Sequence, residues 1–168
     1  MDILGEIGAT LAQEFALPDA RTVTLIIARL LTATLLGALL GLERERGGHP
    51  AGLKTHILVA AGSALFVLTP LVAGADMDAT TRVMQGVVQG IGFLGAGAIL
   101  KQAADDRIQG LTSAAGIWLA AAIGMTAGLG REVAAIIATL LALGVFWLIP
   151  RLFPQAGGGM PGGRDADK

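Results

Sequence analysis

Five stretches of this chain are apolar for the length of a bilayer: Thr22 to Leu42, Thr55 to Ala75, Val83 to Leu100, Leu111 to Leu129 and Val133 to Ile149. A hydrocarbon core of about 30 Å takes about 20 helical residues to cross. Backbone in lipid must satisfy its own hydrogen bonds, which makes helix the form for such runs. Only the first stretch holds a formal charge, Arg29, and short links hold most of the rest. A soluble bundle of five helices apolar all round would need an enclosing polar shell. A chain of 168 residues, 54% hydrophobic and 15% charged, is too short to supply one. The expectation is an all-α fold, a polytopic helical membrane bundle of about five spans over residues 22–150.

Lys and Arg collect in cytoplasmic loops, so their distribution predicts orientation. One side takes Arg44, Arg46, Lys54, Lys101, Arg107, Arg151, Arg164 and Lys168, and the other takes Arg21, Arg82 and Arg131. The bias places the N-terminus outside and the C-terminus in the cytoplasm. Residues 1–21 carry Asp2, Glu6, Glu14 and Asp19 but no basic residue before Arg21, so no cleaved signal is expected. Ile3, Leu4, Ile7, Leu11 and Phe15 recur at roughly helical spacing, and two readings compete: an interfacial helix and a frayed polar terminus. Pro150 and Pro154 are expected to close the last helix, and residues 151–168 read as a flexible cytoplasmic tail.

GIGFLG, Gly90 to Gly95, matches a dinucleotide fingerprint letter for letter. That fingerprint requires a preceding strand and an exposed phosphate-facing turn, whereas these glycines sit in an uncharged run of membrane length. Gly86, Gly90, Gly92, Gly95 and Gly97, with Gly37 and Gly41 in the first span, are expected to be positions of close helix packing. Arg82, Gln85 and Gln89 share one helix face. They either bond neighbouring helices or line a hydrated path. Arg29, inside the first span, is a further functional candidate, with Asp76, Asp78 and Glu132 as expected ion-pair partners on its side of the membrane.

The densest charge lies in GLERERGGHPAGLKTH, Gly41 to His56. Glu43, Arg44, Glu45 and Arg46 leave the first span, while Lys54, Thr55 and His56 enter the second. One reading is topogenic. The other is a docking or ion-sensing surface, with Glu43 and Glu45 offering oxygens to a hard cation such as Mg²⁺, which Arg44 and Arg46 would oppose. No metal site and no cofactor is expected. With no cysteine, no HExxH and no GxSxG, no catalytic constellation emerges. Thr112 and Ser113 after Gly110 read as hydroxyls at a helix start. Net charge is −1 with no basic surface of any size, so nucleic acid is not an expected partner.

GALLGLERE (Gly37 to Glu45), PAGLKTHILVAAGSALF (Pro50 to Phe66), QGIGFLGAGAILK (Gln89 to Lys101) and GLTSAAGIWLAAAIGMTAGLG (Gly110 to Gly130), in this order, resemble the signature blocks of the MgtC/SapB family. The resemblance covers about Arg29 to Arg131. It implies a bacterial inner-membrane protein with about five spans. It also implies a role in growth under magnesium limitation and in control of other membrane machines, among them the ATP synthase and a P-type magnesium ATPase. The family motif falls on Glu43, Arg44, Gly52, Lys54, Thr55, Asp78, Arg82, Gln85, Gly90, Gly95, Gly97, Gly110, Leu111 and Thr112. Lys54 stands where the family usually has arginine, and a cysteine of some members' fourth helix is absent. Members known for virulence continue into a cytoplasmic domain where this sequence runs into a glycine-rich tail. The expected partners are the lipid bilayer, other inner-membrane proteins and a second copy of the chain.

Overall fold

The computed structural model describes residues 3–100 and 110–153. Every regular element among them is a helix: α1 Ile3–Glu14, α2 Ala20–Arg46, α3 Leu53–Val72, α4 Met77–Leu100, α5 Leu111–Gly128 and α6 Glu132–Leu152. The link carrying Lys101 and Arg107, and the tail beyond Phe153 expected to be flexible, lie outside the described residues.

Four helices, α2, α3, α5 and α6, are long and apolar enough to cross a membrane among the described residues. The fifth expected span lies within α4, whose 24 residues cover about 36 Å at the helical rise. The apolar side chains confirm the solvent. Leu31, Leu35 and Leu39 form an exposed stripe on α2, while Ala33, Leu36 and Leu40 turn inward. On α6, Ile136, Ile137, Leu140, Leu141, Val145 and Leu148 are all exposed. Apolar faces of this extent suit lipid and not water. The chain is a multi-pass membrane protein.

Helix ends follow local chemistry more closely than the apolar runs did. Asp19 Oδ1 accepts the N–H groups of Arg21 and Thr22 at 3.0 and 3.1 Å, and Thr22 Oγ1 donates to Oδ2 at 2.7 Å, which starts α2 two residues early. These bonds hold the Asp19 carboxyl below its usual range. At its other end α2 continues through Glu43–Arg46, so that charged segment is the last helical turn rather than a loop. Asp76 Oδ1 accepts the Ala79 N–H at 2.7 Å and α4 starts at Met77, six residues before the expected span. α6 runs through Pro150 to Leu152, against the expectation that Pro150 closes it. Proline in a last turn removes one hydrogen bond without ending the turn. Gly110 precedes α5 with φ 92° and no side-chain cap; its backbone conformation, not Thr112 or Ser113, starts that helix.

α3 packs between α2 and α5, α4 lies against α3 and α5, and α6 closes over α2 and α5. Small residues set these distances. A Cβ at Gly37 would lie 2.8 Å from Ala60 Cβ and from the His56 carbonyl oxygen, and one at Gly41 would lie 2.7 Å from Leu53 Cα. From the other side Gly124 meets the backbone of Ala60, and a Cβ at Gly128 would lie 2.6 Å from the Ala64 carbonyl oxygen. Helix α3 is thus seated backbone to backbone in two glycine notches. Gly95 is the member of the α4 set that packs, against Ala114. Gly86, Gly90, Gly92 and Gly97 have nothing within reach among the described residues, which corrects the expectation that they are close-packing positions within one copy. α1 lies apart with its side chains exposed, Ile3, Leu4, Ile7 and Leu11 included.

Candidate functional site

The end of the bundle where α2 passes into α3 gathers most of the charged candidates. The turn after Arg46 is folded by backbone bonds from Gly47 N–H to the Glu43 carbonyl, Gly48 to Glu45 and His49 to Arg44. Glu45 crosses the turn, and its Oε2 accepts the Leu53 N–H at 2.6 Å. Since Gly52 supplies no side-chain cap, Glu45 replaces it at the start of α3, where a carboxylate also complements the helix dipole. That oxygen is thereby committed. Among the described residues no group of three or more potential ligands gathers for a metal ion.

Arg44 turns inward from the last turn of α2. It is 3% exposed, its guanidinium lies 4.5 Å from the ring centre of Phe146 on α6, and Nη1 stands 3.5 Å from Glu43 Oε2. This is the only ion pair among the described residues, and it is long for a charge-assisted bond. Nε and Nη2 are buried without partners among the described residues. Cation–π contact with Phe146 is the main compensation.

His56 lies one turn into α3 with no exposed surface. Its Nδ1 is 2.9 Å from the Gly52 carbonyl oxygen, which requires Nδ1 to carry a proton and donate. In the neutral ring Nε2 is then a lone pair, buried and without a partner. A Cβ at Gly116 would lie 3.1 Å from that nitrogen and 3.8 Å from Phe146 Cζ. Gly116 on α5 therefore abuts both the ring and Phe146 of α6, while Gly41 on α2 abuts the Cβ of His56. The node joins four helices and holds donors on Arg44 and an acceptor on His56 that have no partner among the described residues. Thr55 is half-buried beside it; Lys54, Arg46 and His49 are exposed. Partial desolvation and the Arg44 cation lower the His49 pKa.

Arg29 belongs to neither this node nor a shared polar path. Its Nη1 donates to the Gly128 carbonyl oxygen at 3.0 Å, and its guanidinium covers Gly130, whose φ of 75° ends α5. It caps the carbonyl end of α5, where a cation is favoured. It forms no ion pair with Asp76, Asp78 or Glu132, the partners expected from sequence. Arg29→Met is expected to cost about 1.5–3 kcal/mol, the range for a hydrogen bond to a charged group. Denaturant-induced unfolding in detergent checks this; an unchanged midpoint would show the cap to be idle.

Arg82, Gln85 and Gln89 are exposed on the outer side of α4, with Asp78. Helices α2 and α4 do not pack on one another, so the four residues of the expected path are not brought together within one copy. Beside the polar stripe, α3 and α4 splay around an apolar groove of about 640 Å³, lined by Gly62, Ser63, Phe66, Gly86, Gly90 and Leu94 among others. Ser63 Oγ there is buried without a partner, whereas Thr69 on the same helix bonds its own i−4 carbonyl.

Sequence reasoning missed Phe146, Gly124, Gly128, Ser63 and the capping role of Glu45. The signal for two of them was present: Gly116, Ala120, Gly124 and Gly128 recur every four residues, a small-residue face longer than the Gly37 and Gly41 pair or the Gly86 and Gly90 pair. Phe146 carried none, being one apolar residue among many.

The MgtC family model matches residues 30–153. The chain is 48% identical over 126 residues to Protein SrpB of Synechococcus elongatus, covering 68% of this chain and 69% of that protein. It is 43% identical over 117 residues to Protein MgtC of Salmonella typhimurium, covering 70% of this chain and about half, 49%, of that longer protein. YhiD of Escherichia coli K12, named as a candidate magnesium transporter, is 42% identical over 130 residues, 71% of this chain and 60% of YhiD. No solved structure matches. The matched region runs from Leu30, next to the arginine that caps α5, to Phe153, just past the end of α6, and includes the Arg44–His56 node and the open face of α4: the chain belongs to the MgtC family.

Proposed function

We propose that this chain is a non-enzymatic regulator of other proteins in the bacterial inner membrane, acting in adaptation to low magnesium and docking a partner's transmembrane helix in the groove between α3 and α4. The observation that carries the reading is the groove itself. Gly62, Gly86 and Gly90 open it to the lipid, and no side chain of the described residues fills it. Glycine-lined channels at bilayer depth admit a helix backbone closely. Family resemblance points to the ATP synthase or a P-type magnesium ATPase as partners. The N-terminus faces outward and the Arg44–His56 node lies on the cytoplasmic side, where the basic residues collect. Photo-crosslinking from Leu94 in native membranes under magnesium starvation is expected to capture a membrane protein, and deletion to slow growth at low magnesium. Absence of both would overturn the reading.

The name of YhiD favours a second reading, transport. Flux of Mg²⁺ into liposomes holding the purified chain would support it, and would require a path other than one past Arg29, Arg82, Gln85 and Gln89 in a single copy.

A further inference from the structure

The outer side of α4 poses a problem that the groove does not solve. On a helix turning 100° per residue, Asp78, Arg82, Gln85 and Gln89 fall within about 60° of one another. All four are exposed. Gln89 is the thirteenth of 24 residues of α4, about 18 Å along the axis and so close to the middle of the bilayer. α4 packs against α3 and α5, both long and apolar enough to span, so this stripe turns toward lipid at their depth. A primary amide in hydrocarbon without partners is costly, and no described residue of one copy covers it.

We infer that a second copy of the chain covers it, α4 packing on its counterpart around a two-fold axis along the membrane normal. Copies of one chain enter the membrane in the same orientation, so such an axis sets equal residues at equal depth. Each glutamine then faces the same glutamine of the other copy. An amide carries both donors and an acceptor, so Gln85 and Gln89 are complementary to themselves. Arg82 would face its like charge, but Asp78 lies one turn away on the same side, so each guanidinium reaches the other copy's carboxylate and the four charges sum to zero. Gly86, beside the stripe with no atom in reach of its Cβ position, lets the helices approach. An unrelated partner would have to match two amides and two opposite charges in register; the second copy does so by symmetry. This contact lies beside the α3–α4 groove and does not depend on the function proposed above.

The chain has no cysteine, which makes the test direct. Ala96 continues the stripe, two turns beyond Gln89, and is exposed. In membranes treated with a short bismaleimide, Ala96→Cys in the full chain is expected to give a product of twice the chain mass. Its yield should be at least tenfold above that of Leu140→Cys on the lipid face of α6. Adding Gln85→Leu and Gln89→Leu to Ala96→Cys is expected to lower that yield at least tenfold, with unchanged accumulation in the membrane. Equal yields from Ala96→Cys and Leu140→Cys, an adduct with a different polypeptide, or a yield untouched by the two leucines would overturn the inference. If the triple variant fails to accumulate, native mass spectrometry of the unmodified chain from lipid nanodiscs decides: a dimer supports the contact and a monomer overturns it.

Discussion

Gly124→Ala is expected to destabilise the bundle by about 3 kcal/mol, the upper part of the range for overpacking a close-packed interior, while Gly86→Ala and Gly90→Ala leave it as stable as before or up to about 1 kcal/mol more so. All three place one methyl group on a glycine inside a membrane helix. The neighbours decide the sign. At Gly124 the new Cβ falls on the backbone of Ala60, its carbonyl oxygen first, and a helix backbone does not give way as the end of a flexible side chain does. Ala60 is itself held from the far side by Gly37, so α3 cannot retreat from α5 without pressing on α2. Gly86 and Gly90 border open space, and alanine there gains helix propensity of about 0.8–1 kcal/mol over glycine. Detergent-solubilised variants followed by thermal unfolding give the comparison. Equal midpoints for Gly124→Ala and Gly90→Ala would show that α3 is not wedged between two glycine notches.

The same contrast shows how much of the molecule was legible. Bilayer-length apolar runs announce helices because one physical demand, internal backbone satisfaction, governs the residues in them; three of the five runs fall within a helix, while Thr55 to Ala75 outruns α3 by three residues and Leu111 to Leu129 outruns α5 by one. A glycine announces only a missing side chain. Gly37 and Gly90 look alike in sequence, and which of them faces a neighbour depends on how α2 and α4 are each turned toward α3. Capping residues fare similarly. Asp19 acts within three positions of itself, whereas Glu45 serves an N–H eight residues away and Arg29 a carbonyl in another helix. Arg29 was legible as a residue needing a partner, but the partner is a helix end, and a helix end is a property of the fold rather than of any letter. The node was half legible: Arg44 and His56 stood out as polar groups at the edge of apolar runs, while Gly116 and Phe146, which enclose them, are apolar in a chain where most residues are.

Arg44→Met is expected to leave the bundle as stable as before or slightly more so, while abolishing the support of growth at low magnesium proposed above. The argument turns on what Arg44 lacks. Among the described residues its single ion pair is 3.5 Å long, to a Glu43 that remains partly exposed, and Nε and Nη2 are buried without acceptors. A buried cation held by one long contact and one aromatic face carries a desolvation cost of several kcal/mol against limited return. Methionine keeps much of the stem volume beside Phe146 and retains favourable contact with the ring through sulfur, so the cost disappears and little packing is lost. Replacement of buried ionic groups by apolar residues of similar size is neutral or stabilising by about 1–4 kcal/mol in other systems. Arg44→Ala tests the packing side separately, since it removes the stem and leaves a void against Phe146, with a loss of stability expected. Thermal unfolding in detergent beside growth complementation measures both effects. A large loss of stability in Arg44→Met would make this arginine a structural strut. Retained stability with lost growth would mark it as a residue held, at some expense to the fold, for the donors it keeps unpaired four helices deep.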